Sequence, residues 1–300
     1  MIKTEDCIQI FAAATPGEWL PTRVLEFSIR ETTKRLVKVT PLYTVGRTIP
    51  LPQAIENRPR TPFSFQRFLI PELCGFTGRA IYLDADMQVF RDIGELWNWP
   101  LDGCDLQTVS EAGLGRREQF SVMLLDCAQL DWDVDEIVAA LDAGKLDYAA
   151  LMFHMRVAKQ IGRDISPEWN SLERYDPEST ALVHYTDMPT QPWTSLVNPL
   201  DCLWVSCLRR AIAAGFITGD ELQREVAAGH VRPSLIAQVE TGIDHGADVS
   251  RAIRNLDRKF IAPYHQLHAG HVQLWTSARN WVTATLRRLP FCIRRSGVHY

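Results

Sequence analysis

The chain contains no unbroken apolar run of the ~18 residues that a membrane-spanning helix requires. It has no C-x-x-C pair either: Cys7, Cys74, Cys104, Cys127, Cys202, Cys207 and Cys292 are odd in number and irregularly spaced. That pattern excludes a disulfide framework and reads as reduced, core-filling thiols in a reducing compartment. The opening "MIKTEDCIQIFAAATPGEW" lacks a basic segment ahead of its apolar run, so no secretory leader is expected and the protein is read as cytoplasmic. Internal repeats, low-complexity segments and nucleic-acid-reading motifs are absent, and nucleic acid is not an expected partner. After Asp257 there is no acidic residue: Arg258, Lys259, Arg279, Arg287, Arg288, Arg294 and Arg295 give the tail a charge of +7 against a total of −4.

What is present is a chain of 300 residues, 46% hydrophobic, long enough for one large or two small α/β domains. Ile8, Ile10 and Phe11 predict a first strand, and "EWLPTRVLEFSIRETTKRL" predicts a helix with Leu20, Val24 and Phe27 on one face. "LVKVTPLY" predicts a second strand, after which Pro50, Pro52, Pro59 and Pro62 mark an irregular loop. "RAIYL", "DLQTV", "SVMLLD" and "ALVHY" predict further strands, and "DVDEIVAALDAG" a helix closed by Gly144. This order implies a layered α/β sheet through about residue 200, with residues 201–300 mainly helical.

The stretch "AIYLDADMQVF", residues 80–90, places Asp84 and Asp86 directly after an apolar strand. Ligands of α/β sheets gather at the carboxyl ends of strands. Two carboxylates at i and i+2 share a side of an extended chain and can converge on one hard divalent cation. A solvated turn ending a strand is the plain alternative.

The longer segment "IYLDADMQVFRDIGELW" resembles the metal-binding segment of retaining glycosyltransferases of family 8, which include the glycogenins and bacterial lipopolysaccharide galactosyltransferases. Three further stretches carry the same resemblance. "HYTDMPTQPW" is similar to the family's H-x-x-G-x-x-K-P-W segment, "FSFQRFLIPEL" to its aromatic-x-x-R-x-x-x-P segment, and "SVMLLDC" to its N-S-G-V-M-L strand. The resemblance implies a GT-A fold, a Rossmann-like mixed sheet flanked by helices, over residues 1–200. It implies Asp84, Asp86 and His184 as ligands of Mn²⁺ or Mg²⁺, and Arg67, Asp147 and Gln119 as catalytic residues. It implies Ala13, Thr15, Arg67, Ala85 and Gln191 as donor contacts. The activity implied is transfer of a hexose, with retention, from a nucleotide sugar such as a UDP-hexose to a hydroxyl of a glycan or lipid acceptor, in cell-surface glycan synthesis.

The chain departs from the family pattern in four places. "AAATPGEW" replaces an acidic and aromatic nucleotide turn, leaving Ala13, Ala14 and Thr15 to meet the base. Gln119 stands near the position of the family's Asn, and Tyr148 and Ala149 stand in the usual D-Q-D segment, leaving Asp147, or Glu168 and Asn170, for the sugar. Asp187 replaces a Gly, and Gln191 stands at a Lys position. An amide carries no charge, so the cation and Arg67 must balance more of the diphosphate.

"QLWTSARNWVTATLRRLPFCIRRSGVHY" joins Trp275, Trp281, Leu286, Leu289 and Phe291 to five arginines. By resemblance to bacterial members it implies peripheral contact with the inner membrane surface, the alternative being a helix docked on the acidic body. His265, His268 and His271 recur every third residue, a weak zinc pattern. Two other function classes fit parts of the sequence: a non-catalytic sugar-nucleotide-binding protein, and a phosphohydrolase with Asp84 as nucleophile, although Met87 stands where that motif wants Thr or Val.

Overall fold

The structure is a computed structural model that describes residues 7–110 and 118–265. The basic aromatic tail, with His268 and His271, lies outside the described residues. The described residues through Pro263 form one compact unit. No helix among the described residues is long and apolar enough to cross a membrane.

Among the described residues, nine strands form two sheets. They are β1 (Ile8–Ala13), β2 (Val37–Pro41), β3 (Arg79–Asp84), β4 (Met87–Val89), β5 (Leu106–Val109), β6 (Val122–Asp126), β7 (Ile161–Ile165), β8 (Ser171–Leu172) and β9 (Leu182–His184). The large sheet runs β2-β1-β3-β6-β5-β7 and the small one β4-β9-β8. β1 is parallel to β2 and β3, β6 is antiparallel to β3 and β5, and β7 is parallel to β5. The helices are α1 (Trp19–Thr32), α2 (Ile70–Leu73), α3 (Ile93–Trp97), α4 (Val134–Asp142), α5 (Tyr148–Met152), α6 (Asp201–Ala213), α7 (Gly219–Ala227), α8 (Ser234–Thr241) and α9 (Arg251–Arg254).

The central strands are mostly apolar because both faces are covered. Alternate residues serve opposite layers: Phe11, Ala13, Tyr82 and Met123 pack with Phe65, Phe68 and Trp132. Ile10, Ala12, Ile81, Leu83, Val122 and Leu124 pack with Leu25, Ile29 and Trp169. A third cluster joins Leu20, Val24 and Phe27 of α1 to Trp204, Val205 and Leu208 of α6, and to Ile217, Leu222 and Leu235. The helix face read from the sequence thus meets the C-terminal helices. Of the cysteines, Cys127 and Cys207 are buried, and Cys7, Cys74, Cys104 and Cys202 are half-buried.

Two strands were not evident from the sequence. β8 is two residues long, and β7, "IGRDI", carries charge and a glycine that weaken a strand pattern. Gly162 is needed there because the buried Gln107 side chain lies over it: a Cβ would sit 2.2 Å from Gln107 Oε1.

The turn from β1 into α1 is closed by a reciprocal cap. Thr15 donates from both its amide (2.7 Å) and its hydroxyl (2.9 Å) to Glu18 Oε2. Burial pushes the Glu18 carboxyl up to about 7, against the pull of the Thr15 bonds, with Asp86 and Asp84 adding to the rise.

Two measurements test these features. Trp204→Ala is expected to lower stability by about 3–5 kcal/mol in chemical denaturation, because it opens a cavity where α1 meets the C-terminal helices. Glu18 is raised in the folded state, so its contribution is full below its ordinary value of 4.5 and is lost as pH climbs through about 7. Between about pH 5 and about pH 8, urea unfolding should show the wild type losing on the order of 2 kcal/mol more than Glu18→Gln. Equal losses would show that Glu18 titrates normally.

Candidate active site

Asp84 is the last residue of β3 and pairs across the parallel ladder with Ala13, so it stands at the carboxyl end of the sheet. The chain then turns through Ala85, whose amide donates to Ala13 O at 3.1 Å, and enters β4 of the small sheet. β4 pairs antiparallel with β9, Met87 lying opposite His184, and the Tyr185 amide donates to Asp86 O at 2.8 Å. This ladder brings the imidazole beside the two carboxylates.

One ligand atom from each of Asp84, Asp86 and His184 lies within 4.8 Å of the others. His184 Nε2 is 3.0 Å from Asp86 Oδ1 and 3.9 Å from Asp84 Oδ2. The three side chains are 5%, 14% and 21% exposed for His184, Asp84 and Asp86. His184 Nδ1 lies 2.9 Å from Asn170 Oδ1, an oxygen that can only accept, so Nδ1 carries a proton. In the neutral ring Nε2 then presents its lone pair toward the carboxylates. Asp86 Oδ1 is buried without a hydrogen bond although Nε2 is so near. Lone pairs from three side chains facing one point repel each other unless a positive charge lies between them, so the donor set fits a divalent cation. Burial raises the Asp84 carboxyl, the Arg67 guanidinium draws it back down, and Asp86 raises it again.

Each ligand is held by one neutral side chain. Tyr82 donates its hydroxyl to Asp84 Oδ1 at 2.6 Å, Gln191 donates Nε2 to Asp86 Oδ2 at 3.1 Å, and Asn170 fixes His184. Gln191 Nε2 also donates to Tyr185 O at 2.9 Å, so the residue at the family's Lys position steadies a carboxylate. Glu173, at φ +51°, donates its amide to His184 O and accepts from the Asp187 amide, locking the strand that carries the imidazole.

Arg67 lies in a 3-10 turn, Gln66–Leu69, and is 4% exposed. Its Nη1 donates to Gln119 O (2.9 Å) and Phe120 O (3.1 Å), and its Cζ stands 4.5 Å from the Tyr82 ring centroid. Phe120 has φ +54°, a conformation a non-glycine residue adopts at a cost, and it aims both carbonyls at the guanidinium. Arg67 Nε is buried with no hydrogen-bond partner. Gln119 therefore meets Arg67 through its carbonyl.

The other sequence-predicted residues have local partners. Ala13 O accepts from Ala85, the Ala14 peptide is bracketed by the Gln66 amide (3.1 and 3.4 Å), and Thr15 is capped by Glu18. Asp147 is exposed and caps α5, accepting from the Ala150 amide at 2.7 Å. Tyr148 is buried between Phe65 and Phe153 with the Arg60 guanidinium over its ring, and Glu168 pairs with Arg91 at 2.8 Å. Pro192 and Trp193 have structural work: Pro192 O accepts from the buried Arg232 at 3.0 Å, and the Trp193 ring lies between Tyr185 and Trp204. Sequence reasoning missed Tyr82 and Glu18. Tyr82 was open to inference, because residues two apart on a strand share a face.

No curated protein matches the chain. Among solved structures it is similar to the bifunctional glycosyltransferase WbbM, with 13% identity and a TM-score of 0.50, over 68% of this chain and 50% of that one. It is also similar to the galactosyltransferase LgtC in complex with donor and acceptor sugar analogs (16%, TM-score 0.47, 70% of this chain and 96% of that one). A third is the glycosyltransferase GlyE of Streptococcus pneumoniae TIGR4 (16%, TM-score 0.49, 68% and 60%). At 13% identity the likeness to WbbM speaks for the fold. The model of glycosyl transferase family 8 matches residues 26–148, the span that carries Arg67, the Asp84–Asp86 turn and β6. Residues 26–148 are thus similar to glycosyl transferase family 8, and the fold around them is the GT-A architecture.

Proposed function

We propose that this site takes a nucleotide-sugar donor, a UDP-hexose, on a divalent cation held by Asp84, Asp86 and His184, and passes the sugar with retention to a glycan or lipid hydroxyl. The observation that carries the reading is the buried, unbonded Asp86 Oδ1 beside an imidazole whose other nitrogen is tied to Asn170. When bound, Mn²⁺ or Mg²⁺ would supply positive charge against the diphosphate that leaves the sugar.

The chain's own residues do the rest. The two carboxylates and the neutral imidazole leave coordination positions open for oxygen ligands. Arg67 adds a permanent cation beside the acidic pair, with a buried Nε free to bond an anionic oxygen. Burial of these groups strengthens their field on a departing diphosphate. Asp147 offers an exposed carboxylate, and Gln119 an amide next to Arg67's carbonyl partners, for the sugar hydroxyls. No protein base is invoked, because the leaving phosphate oxygen can take the acceptor proton on the same face. Ala13, Thr15 and Ala85 line the strand ends where the nucleotide would lie, and Gln191 acts through Asp86. All of these residues precede residue 200, so we assign donor binding and catalysis to 1–200 and support to the helices that follow.

A panel of UDP- and GDP-sugars with and without Mn²⁺, scored for nucleotide release and for binding, tests the proposal. Mn²⁺-dependent UDP release is expected from one UDP-hexose, falling at least ~100-fold in Asp86→Ala, as loss of a key electrostatic group does. Unchanged turnover in that variant would remove Asp86 from the site. Binding without release in the wild type would favour a non-catalytic module.

A further inference from the structure

We propose that Tyr82 is a positioning residue that serves both halves of the site: its hydroxyl aims Asp84 at the cation and its ring carries Arg67. This inference rests on the cation reading above and adds a residue that it does not use.

Tyr82 is fully buried in the middle of the large sheet. It stands two residues before Asp84 on the same face of β3, and its hydroxyl donates to Asp84 Oδ1 at 2.6 Å. The terminal torsion of an aspartate is soft, so an unheld carboxylate samples a wide arc. A short bond to one oxygen removes that freedom and leaves Oδ2 as the oxygen nearer to His184 Nε2.

The other orienting residues, Gln191 and Asn170, each touch one ligand. Tyr82 differs in its second contact, the Arg67 Cζ at 4.5 Å from the ring centroid. A guanidinium over an aromatic face is attracted to it, more so when buried. The Nη1 bonds to Gln119 O and Phe120 O then fix the plane of the guanidinium against that ring. The cation-binding carboxylate and the donor-side arginine are therefore both referenced to one rigid side chain. All three orienting groups are neutral, which leaves the two carboxylates as the net charge of the ligand set, suited to one divalent ion.

Tyr82→Phe separates the two roles, because it deletes the hydroxyl and keeps the ring. Mn²⁺ affinity of the unliganded full chain, measured by calorimetry and by the loss of the free Mn²⁺ paramagnetic resonance signal, is expected to fall roughly 10- to 100-fold, the usual cost of removing a partner behind a metal ligand. UDP affinity at saturating Mn²⁺ should stay near the wild-type value in this variant and drop in Tyr82→Leu, which removes the ring beneath Arg67. Tyr185→Phe is the control for a merely structural effect: Tyr185 is also fully buried, but its hydroxyl bonds Gln88 at 2.9 Å, so its Mn²⁺ affinity should not change. Equal Mn²⁺ affinity in wild type and Tyr82→Phe overturns the inference while the cation reading stands. A wild type that binds no Mn²⁺ overturns both. Should Tyr82→Leu fail to fold, the Tyr82→Phe affinity alone decides.

Discussion

The site depends on a three-residue ladder. β4 and β9 pair Met87 with His184, Gln88 with Val183 and Val89 with Leu182, and through that register an imidazole from late in the chain stands beside the carboxylates of the Asp84–Asp86 turn. Side chains alternate along a strand, so a slip of one residue would turn His184 to the other face and dissolve the ligand set. The ladder is guarded accordingly: Ala181, Leu182, Val183 and Tyr185 are fully buried, the Tyr185 amide reaches across to Asp86, and Glu173 binds the strand from its far side.

Two carboxylates held this close oppose each other, and the surrounding groups show how the fold tolerates them. Arg67 lowers the cost of ionising Asp84, while the side chains that hydrogen-bond the three ligands, Tyr82, Gln191 and Asn170, are uncharged. A positively charged contact in their place would occupy the carboxylates and compete with a cation. Burial, with Asp86 and Asp84 adding to it, raises the Glu18 carboxyl to about 7 while it caps the turn that opens α1.

The C-terminal helices belong to this arrangement through packing. Trp204 of α6 meets Trp193, which meets Tyr185, the neighbour of His184. Arg232, fully buried and lowered to about 10 by desolvation, donates to Pro192 O and Ser234, and its amide bonds Trp193 O. The Pro-Trp pair thus anchors the segment that delivers His184 and Gln191. Burying this guanidinium carries a desolvation cost, which its bonds to Pro192 O and Ser234 partly offset while they hold the loop in place.

The sequence by itself determined most of the strands and the layered α/β class, the covered face of α1, the Gly144 stop of α4 and the pairing of Asp84 with Asp86. All of these are written in periodicity or in residue type at short range. Gly144, at φ +67°, is where the reading expects a left-handed residue. Only the tertiary structure decided what stands behind each ligand. That Gln191 steadies Asp86, that Asn170 sets the imidazole and that Asp147 caps a helix are facts about side chains that meet across long stretches of chain or bend back on their own backbone. Amides and carboxylates bond equally well to a ligand, a loop or a helix end, so residue type does not reveal the partner; the register of two short strands does.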